Sequence, residues 1–313
     1  MQTYILRRVL ATIPVMLVVA LFVFSLLRLA PGDPAAVIAG DYASPEDVLR
    51  IRHQLGLDQP IHTQLAIWLG DLLRGDLGIS IFSNLPVTRL IGQRLEPTLA
   101  LSLTTMIFAV VLAVPMGVLA AWKAGTWVDR LVMVFAVLGF SFPLFWLGFL
   151  LIYSFSVRLE LLPVQGYKSL ADGFLPFLEH ITLPTLTLGL VYMALIARIT
   201  RASVLEVLSE DYIRTAHAKG LKPQDVLWGH ALKNASVPIV TIIGVGVALL
   251  IGGVVVTESV FAIPGLGRLT VDAILHRDYP VIQGIILIFS GAYVLVNLVV
   301  DLLYTVLDPR IRY

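Results

Sequence analysis

The chain has 313 residues, 58% of them hydrophobic and only 14% charged, with a mean hydropathy of +0.89. Soluble domains carry about a quarter charged residues, so this composition excludes an ordinary water-soluble protein and puts the chain in a bilayer. A net charge of +1 leaves no basic surplus for nucleic acid, and the absence of cysteine excludes disulfides, thiolate metal sites and cysteine nucleophiles.

At the N-terminus, Arg7 and Arg8 precede an apolar run, as in a secretory signal. Val9–Leu29, however, is long enough for about 31 Å of helix, which spans a hydrocarbon core of about 30 Å. No Ala-x-Ala site follows Arg28. Residues 1–29 are therefore predicted to form the N-terminus and a retained first span.

Residues 30–97 read as an extramembrane insertion, rich in Pro, Gly and charge. Pro45–Leu55 has helical character. Ile61–Leu73 repeats apolar residues at helical spacing, with Ile61, Leu65, Trp68, Leu69 and Leu72 on one face. That face fits either a packed helical module or an amphipathic helix resting on lipid.

Five further spans follow, at about 98–122, 131–155, 181–199, 237–258 and 280–307, giving an all-α integral membrane fold with six crossings in residues 1–308 and a tail at 309–313. Pro115 and Pro143 inside spans two and three predict kinks. The N-terminus, 122–130, 198–236 and the C-terminus together hold twelve Lys and Arg, among them Arg310 and Arg312. The two short loops on the other side hold only Arg158, Lys168, Arg268 and Arg277. The first set is predicted to be cytoplasmic, with both termini inside and the 30–97 insertion outside.

Residues 209–238 interrupt the apolar spans with a polar elbow. Ser209 suits an N-cap, Asp211 lies in the first turn, Lys219 in the last, and Gly220 suits a left-handed C′ position. This predicts a helix of about ten residues, too short to persist alone in water. A second helical run begins near Pro223 and carries Val226, Leu227, Trp228, Ala231 and Leu232 toward span five.

Catalytic signals are missing from the sequence. There is no Gly-Lys dipeptide and hence no P-loop, no H-E-x-x-H among the six histidines, and no G-x-S-x-G elbow. No catalytic, cofactor or metal residue is assigned. Charges near the spans are few. Arg28 and Glu258 fit snorkelling to an interface, and Asp301 fits pairing with Arg198 or Arg201. Gly244, Gly246, Ala248, Gly252 and Gly253 in span five fit close helix packing or a smooth translocation path. Gly244, Ala248, Gly252 and Glu258 are the path candidates. No cluster of midplane charge marks an ion-coupled carrier.

The elbow resembles the cytoplasmic coupling loop, or EAA loop, of permease subunits of ATP-binding-cassette importers. Ala216, Gly220 and Leu232 fall on its spacing, whereas Arg214, Thr215, His230 and Lys233 depart from it. DYIRTAHAKGL is similar to the variant in the peptide and nickel branch. The rest of the chain resembles the same branch through LAPGDP (29–34), LGLDQP (55–60), GDLGIS (75–80), ESVFAIPGLGRL (258–269), RDYPVIQG (277–284) and DLLYTVLDPRIRY (301–313).

The resemblance implies a type I importer permease fold in a bacterial inner membrane and a sister permease subunit. It also implies two ATPase subunits that hold ATP and magnesium, and an extracytoplasmic substrate-binding protein. Asp211, Tyr212, Arg214, Thr215, Ala216, Lys219, Gly220 and Leu221 would couple to the ATPase. Trp68, Asp76, Pro264, Gly265 and Gly267 would dock the binding protein. The implied cargo is a dipeptide or oligopeptide, with glutathione or chelated nickel as alternatives. The competing classes are an integral-membrane enzyme or scaffold, which need not bring ATPase partners on co-purification, and a secondary transporter, whose uptake is abolished by collapsing an ion gradient while ATP is maintained.

Overall fold

The computed structural model describes residues 2–29, 33–40, 43–54 and 56–307. The predicted tail at 309–313, with Arg310 and Arg312, lies outside them, as do the surroundings of the Arg28 side chain. Among the described residues the regular secondary structure is helical, apart from one isolated antiparallel bridge between Ile79 and Pro86.

Five helices are long and apolar enough to cross a membrane, six when one broken pair is counted as a span. They are α1 (Gln2–Leu29), α5 (Val87–Trp122), the pair α6 (Trp127–Ser141) and α7 (Leu144–Leu151), α8 (Phe174–Leu208), α11 (Leu232–Val260) and α13 (Tyr279–Leu307). The break falls at Pro143, which pushes Phe142 into extended backbone with φ −98° and ψ 136°. Pro115, by contrast, sits within an unbroken α5, so only one of the two predicted kinks ends a helix. Both α5 and α8 run well past the predicted spans. At 35 residues α8 is about 52 Å long, more than a bilayer core requires.

The helices group into two bodies. In the body comprising 96–267 and 295 onward, α8 is the central element. Leu183, Leu188 and Ile196 are buried with Leu101 of α5 and Leu250 of α11. Close approach depends on missing side chains: a Cβ on Gly189 would lie 2.5 Å from the Phe108 ring, and one on Gly117 2.6 Å from Thr200. The loop before α8 is tied down by Glu96, whose Oε1 accepts from Tyr167 Oη at 3.1 Å and Ser169 Oγ at 2.5 Å. Burial, and then this carboxylate, pushes the Tyr167 phenol up to about 12.

The other body comprises residues to 95 together with 268–294. It holds α1, three short helices, α2 (Pro34–Ala39), α3 (Pro45–Gln54) and α4 (Ile61–Leu73), and most of a fourth, α12 (Leu266–Leu275). The sequence reading had not separated α2. Asp33 caps it, accepting from the Ala35 N–H at 3.2 Å, and Pro34 opens it. Trp68, Leu69 and Leu72 of α4 pack on Val19, Ala20 and Val23 of α1, with the Phe24 and Trp68 rings 5.7 Å apart. Trp68 is thus a packing residue of a folded module. Ile61, predicted on the same face, is instead 61% exposed.

Candidate functional site

The elbow is built from α9 (Asp211–Ala218), the single turn α10 (Pro223–Asp225) and a π-helical stretch Val226–Ala231 that runs directly into α11. Ser209 does not cap α9, as its position had led us to expect. It closes α8, with φ −83° and ψ −11°, and its Oγ donates to the Glu206 carbonyl at 2.7 Å. The reason is that Val207 and Leu208 belong to the elbow's apolar cluster, which carries α8 onward to Ser209. Glu210 takes the N-cap backbone conformation without a side-chain bond. At the far end the expectation holds. Gly220 has φ +82°, its N–H donates to the His217 carbonyl, and the Leu221 N–H donates to the Ala216 carbonyl, a Schellman closure.

Ile213, Ala216 and Val226 are buried together against Val207 and Leu208, each of the larger two contributing about 1.5–3 kcal/mol. Leu227 and Ala231 continue that seam against Val118 and Ala121 of α5 and Val204 of α8. Asp211, Tyr212, Arg214, Thr215, Lys219, Gly220 and Leu221 remain exposed, as does Trp228. Ala216, one of the coupling candidates, faces inward and holds the elbow together.

Beneath the elbow, Arg201 forks onto Asp129, with Nε to Oδ1 at 2.5 Å and Nη2 to Oδ2 at 2.7 Å. The side chains are 25% and 7% exposed. Asp129 Oδ2 also accepts from the Gly125 N–H at 2.9 Å. Arg201 is therefore committed to Asp129, not to Asp301 as the sequence had allowed. This pair was not foreseen.

The turn after α11 overturns the reading of Glu258 as a snorkelling, path-lining carboxylate. Glu258 is fully buried. Its Oε1 accepts from Thr98 Oγ1 at 2.5 Å, and that hydroxyl in turn accepts from the Leu266 N–H at 2.7 Å. A Cβ on Gly265 would lie 2.0 Å from Oε1, and one on Gly267 3.0 Å from Oε2. The carboxylate occupies the space that a side chain at Gly265 would fill, while at Gly267 the Val255 Cα, 2.7 Å from a Cβ, stands closer still. Gly265 and Gly267 are consequently buried, and within the Pro264–Gly267 turn only Pro264 presents an exposed surface. Gly244 packs on Val300 of α13, where a Cβ would lie 2.5 Å from Cγ2. Ala248 is half-buried, and the surroundings of Gly252 lie outside the described residues.

In the other body, GDLGIS and RDYPVIQG meet. Asp278, 3% exposed, accepts from Ser80 Oγ at 2.5 Å and from the Ile81 and Phe82 N–H groups at 3.2 and 3.4 Å. Asp76 accepts from the Gly78 N–H at 2.8 Å. Gln283 Nε2 donates to the Val23 carbonyl at 3.0 Å. The sequence had identified these runs only as resemblances, without pairing them. No group of three or more metal-ligating side chains occurs among the described residues.

Residues 113–313 match the family described as binding-protein-dependent transport system inner membrane component, and residues 1–104 match its N-terminal companion. A probable peptide ABC transporter permease protein, y4tP, from Sinorhizobium fredii is 56% identical over the full length of both chains. The glutathione transport system permease protein GsiC of Salmonella typhimurium is 48% identical, again over both full lengths. A chain of the inward-facing MetNI methionine ABC transporter shares the fold with a TM-score of 0.57 at 19% identity, covering 70% of this chain and 96% of that one. The fold is that of a type I ABC importer permease. By these matches the chain belongs to the family of binding-protein-dependent transport system inner membrane components.

Proposed function

We propose that this chain is the permease subunit of an ATP-driven importer of short peptides, working beside a sister permease, two ATPase subunits and an extracytoplasmic binding protein. The observation that carries the reading is the 56% identity over both full lengths to a probable peptide ABC transporter permease. The elbow supplies the mechanism. Its short helix has an apolar underside seated on α8 and the π-helical stretch, and its polar face is open. Asp211, Tyr212, Arg214, Thr215, Lys219, Gly220 and Leu221 would enter the ATPase. Closure of the ATPase on ATP would then move elbow and helices as one unit and alternate access to the path. Ala248 and Gly252 are the remaining path candidates on α11. Pro264 and Asp76 are the exposed candidates for docking the binding protein.

ATP-dependent uptake of a labelled dipeptide by the reconstituted complex is the expected result. The glutathione permease match favours a second reading, which uptake of glutathione in place of the dipeptide would select. Uptake that collapses with an ion gradient while ATP is maintained would overturn both. Orientation is checked separately. In this cysteine-free chain, Ser44→Cys should react with an impermeant reagent from outside and Ser209→Cys should not.

A further inference from the structure

The module after α1 forms an open-mouthed cavity of about 610 Å³, walled by α3, α4, the 76–84 loop and the start of α13. That volume lies within the range of small-molecule sites, about 300–1,000 Å³. Its wall is mixed. Ile67 and Ile79 supply apolar surface, Trp68 an aromatic face, and Gln64 and Asn84 amide groups. Two carboxylates, Asp71 and Asp76, line it beside the imidazole of His53, and none of the described lining residues is Lys or Arg. Arg74 stands 3.8 Å from Asp71, but its side chain is 82% exposed and lies outside the wall.

We propose that this cavity binds a short peptide by its free ammonium end. The two carboxylates accept its N–H donors, and the indole of Trp68 offers the π face that attracts a cation. The Asn84 amide matches a peptide backbone, Gln64 Nε2 being engaged with the Gln59 carbonyl at 2.6 Å, and the isoleucines take up apolar side chains. A ligand of net negative charge such as glutathione is disfavoured by the same carboxylates. The proposal rests on the import reading for the physiological source of the peptide, and it adds a peptide site within the permease itself, built from residues of the body that does not contain α11.

The test is binding of dialanine and of N-acetyl-dialanine to the assembled importer in nanodiscs, free of nucleotide and of the delivery protein. Saturable binding of dialanine in the micromolar to millimolar range, with none for the acetylated form, is expected. Asp71→Asn with Asp76→Asn should weaken dialanine by about tenfold to a hundredfold. The Asn oxygen at 76 still accepts from Gly78, so the loop should keep its fold. Gln64→Lys, which brings a cation to the wall with both carboxylates intact, should weaken it likewise. Equal binding of the acetylated peptide, absence of dialanine binding, or unchanged affinity in these variants overturns the proposal. Because the assay uses neither ATP nor transport, its failure leaves the import reading intact, and a failed uptake assay leaves this result standing.

Discussion

Two glycine-bearing turns in the same body do opposite jobs. At the elbow, Gly220 has φ +82° and nothing within 4 Å of where a Cβ would stand. At the Pro264–Gly267 turn, Gly265 has no positive φ, yet its missing Cβ is the room into which the Glu258 carboxylate projects. One glycine is there for its backbone and the other for its emptiness. The elbow is accordingly held by apolar packing with an open polar face, while the turn is held by a buried carboxylate and a relayed hydroxyl. Surfaces that change partners suit the first construction, and surfaces that keep one shape suit the second.

The largest expected effect breaks the turn. Gly265→Ala should destabilise the protein by about 3 kcal/mol, the upper part of the overpacking range, seen as a lower melting temperature in detergent. Combining it with Glu258→Asp should give back part of the loss, because the shorter acid withdraws from the added methyl. Additivity of the two would show that the carboxylate is not what fills the space. Next is the ion pair below the elbow, where Arg201→Gln should cost about 1.5–3 kcal/mol through loss of charged hydrogen bonds. Exchange of the two charges, Arg201→Asp with Asp129→Arg, should do better than either single change.

Gly220→Leu should cost about 1–2 kcal/mol for a left-handed residue. With open space around it, Gly220→Ala should cost much the same, so a large difference between the two would reveal crowding. On the proposed function, both should lower uptake per ATP hydrolysed while leaving membrane insertion intact. The smallest effect is Asp211→Asn. It loses an exposed pair with Arg214 at 3.0 Å, the carboxylate being 94% exposed, and should change stability by less than about 1 kcal/mol. A changed ATPase rate at unchanged melting temperature would then locate Asp211 on the partner-facing surface.

Much of this was legible in the sequence because it depends on local periodicity and turn chemistry. The apolar spacing of Ile61–Leu73 and of the last span delimited α4 and α13 closely, and Gly220 announced its own conformation. The clasps were not legible. Glu258 binds Thr98 across 160 residues, Asp278 binds Ser80 across 198, and Arg201 binds Asp129 across 72. An acid at the end of an apolar run looks the same whether it reaches for water or for a distant hydroxyl. Ser209 failed for a different reason. A residue between two helices can close the first or open the second, and here the apolar residues before it extended α8.

The π-helical stretch between α10 and α11 has a geometric corollary. There the Leu232 N–H reaches back five residues to the Leu227 carbonyl, so the backbone holds one residue more than an α-helix would use. Removing that surplus, for instance by deleting the exposed Gly229, should swing everything upstream by about 100° around the axis of α11. The azimuth of the elbow is thus set by a single residue's worth of chain length, and a homologue shorter by one there would present a different side of α9 to whatever it meets.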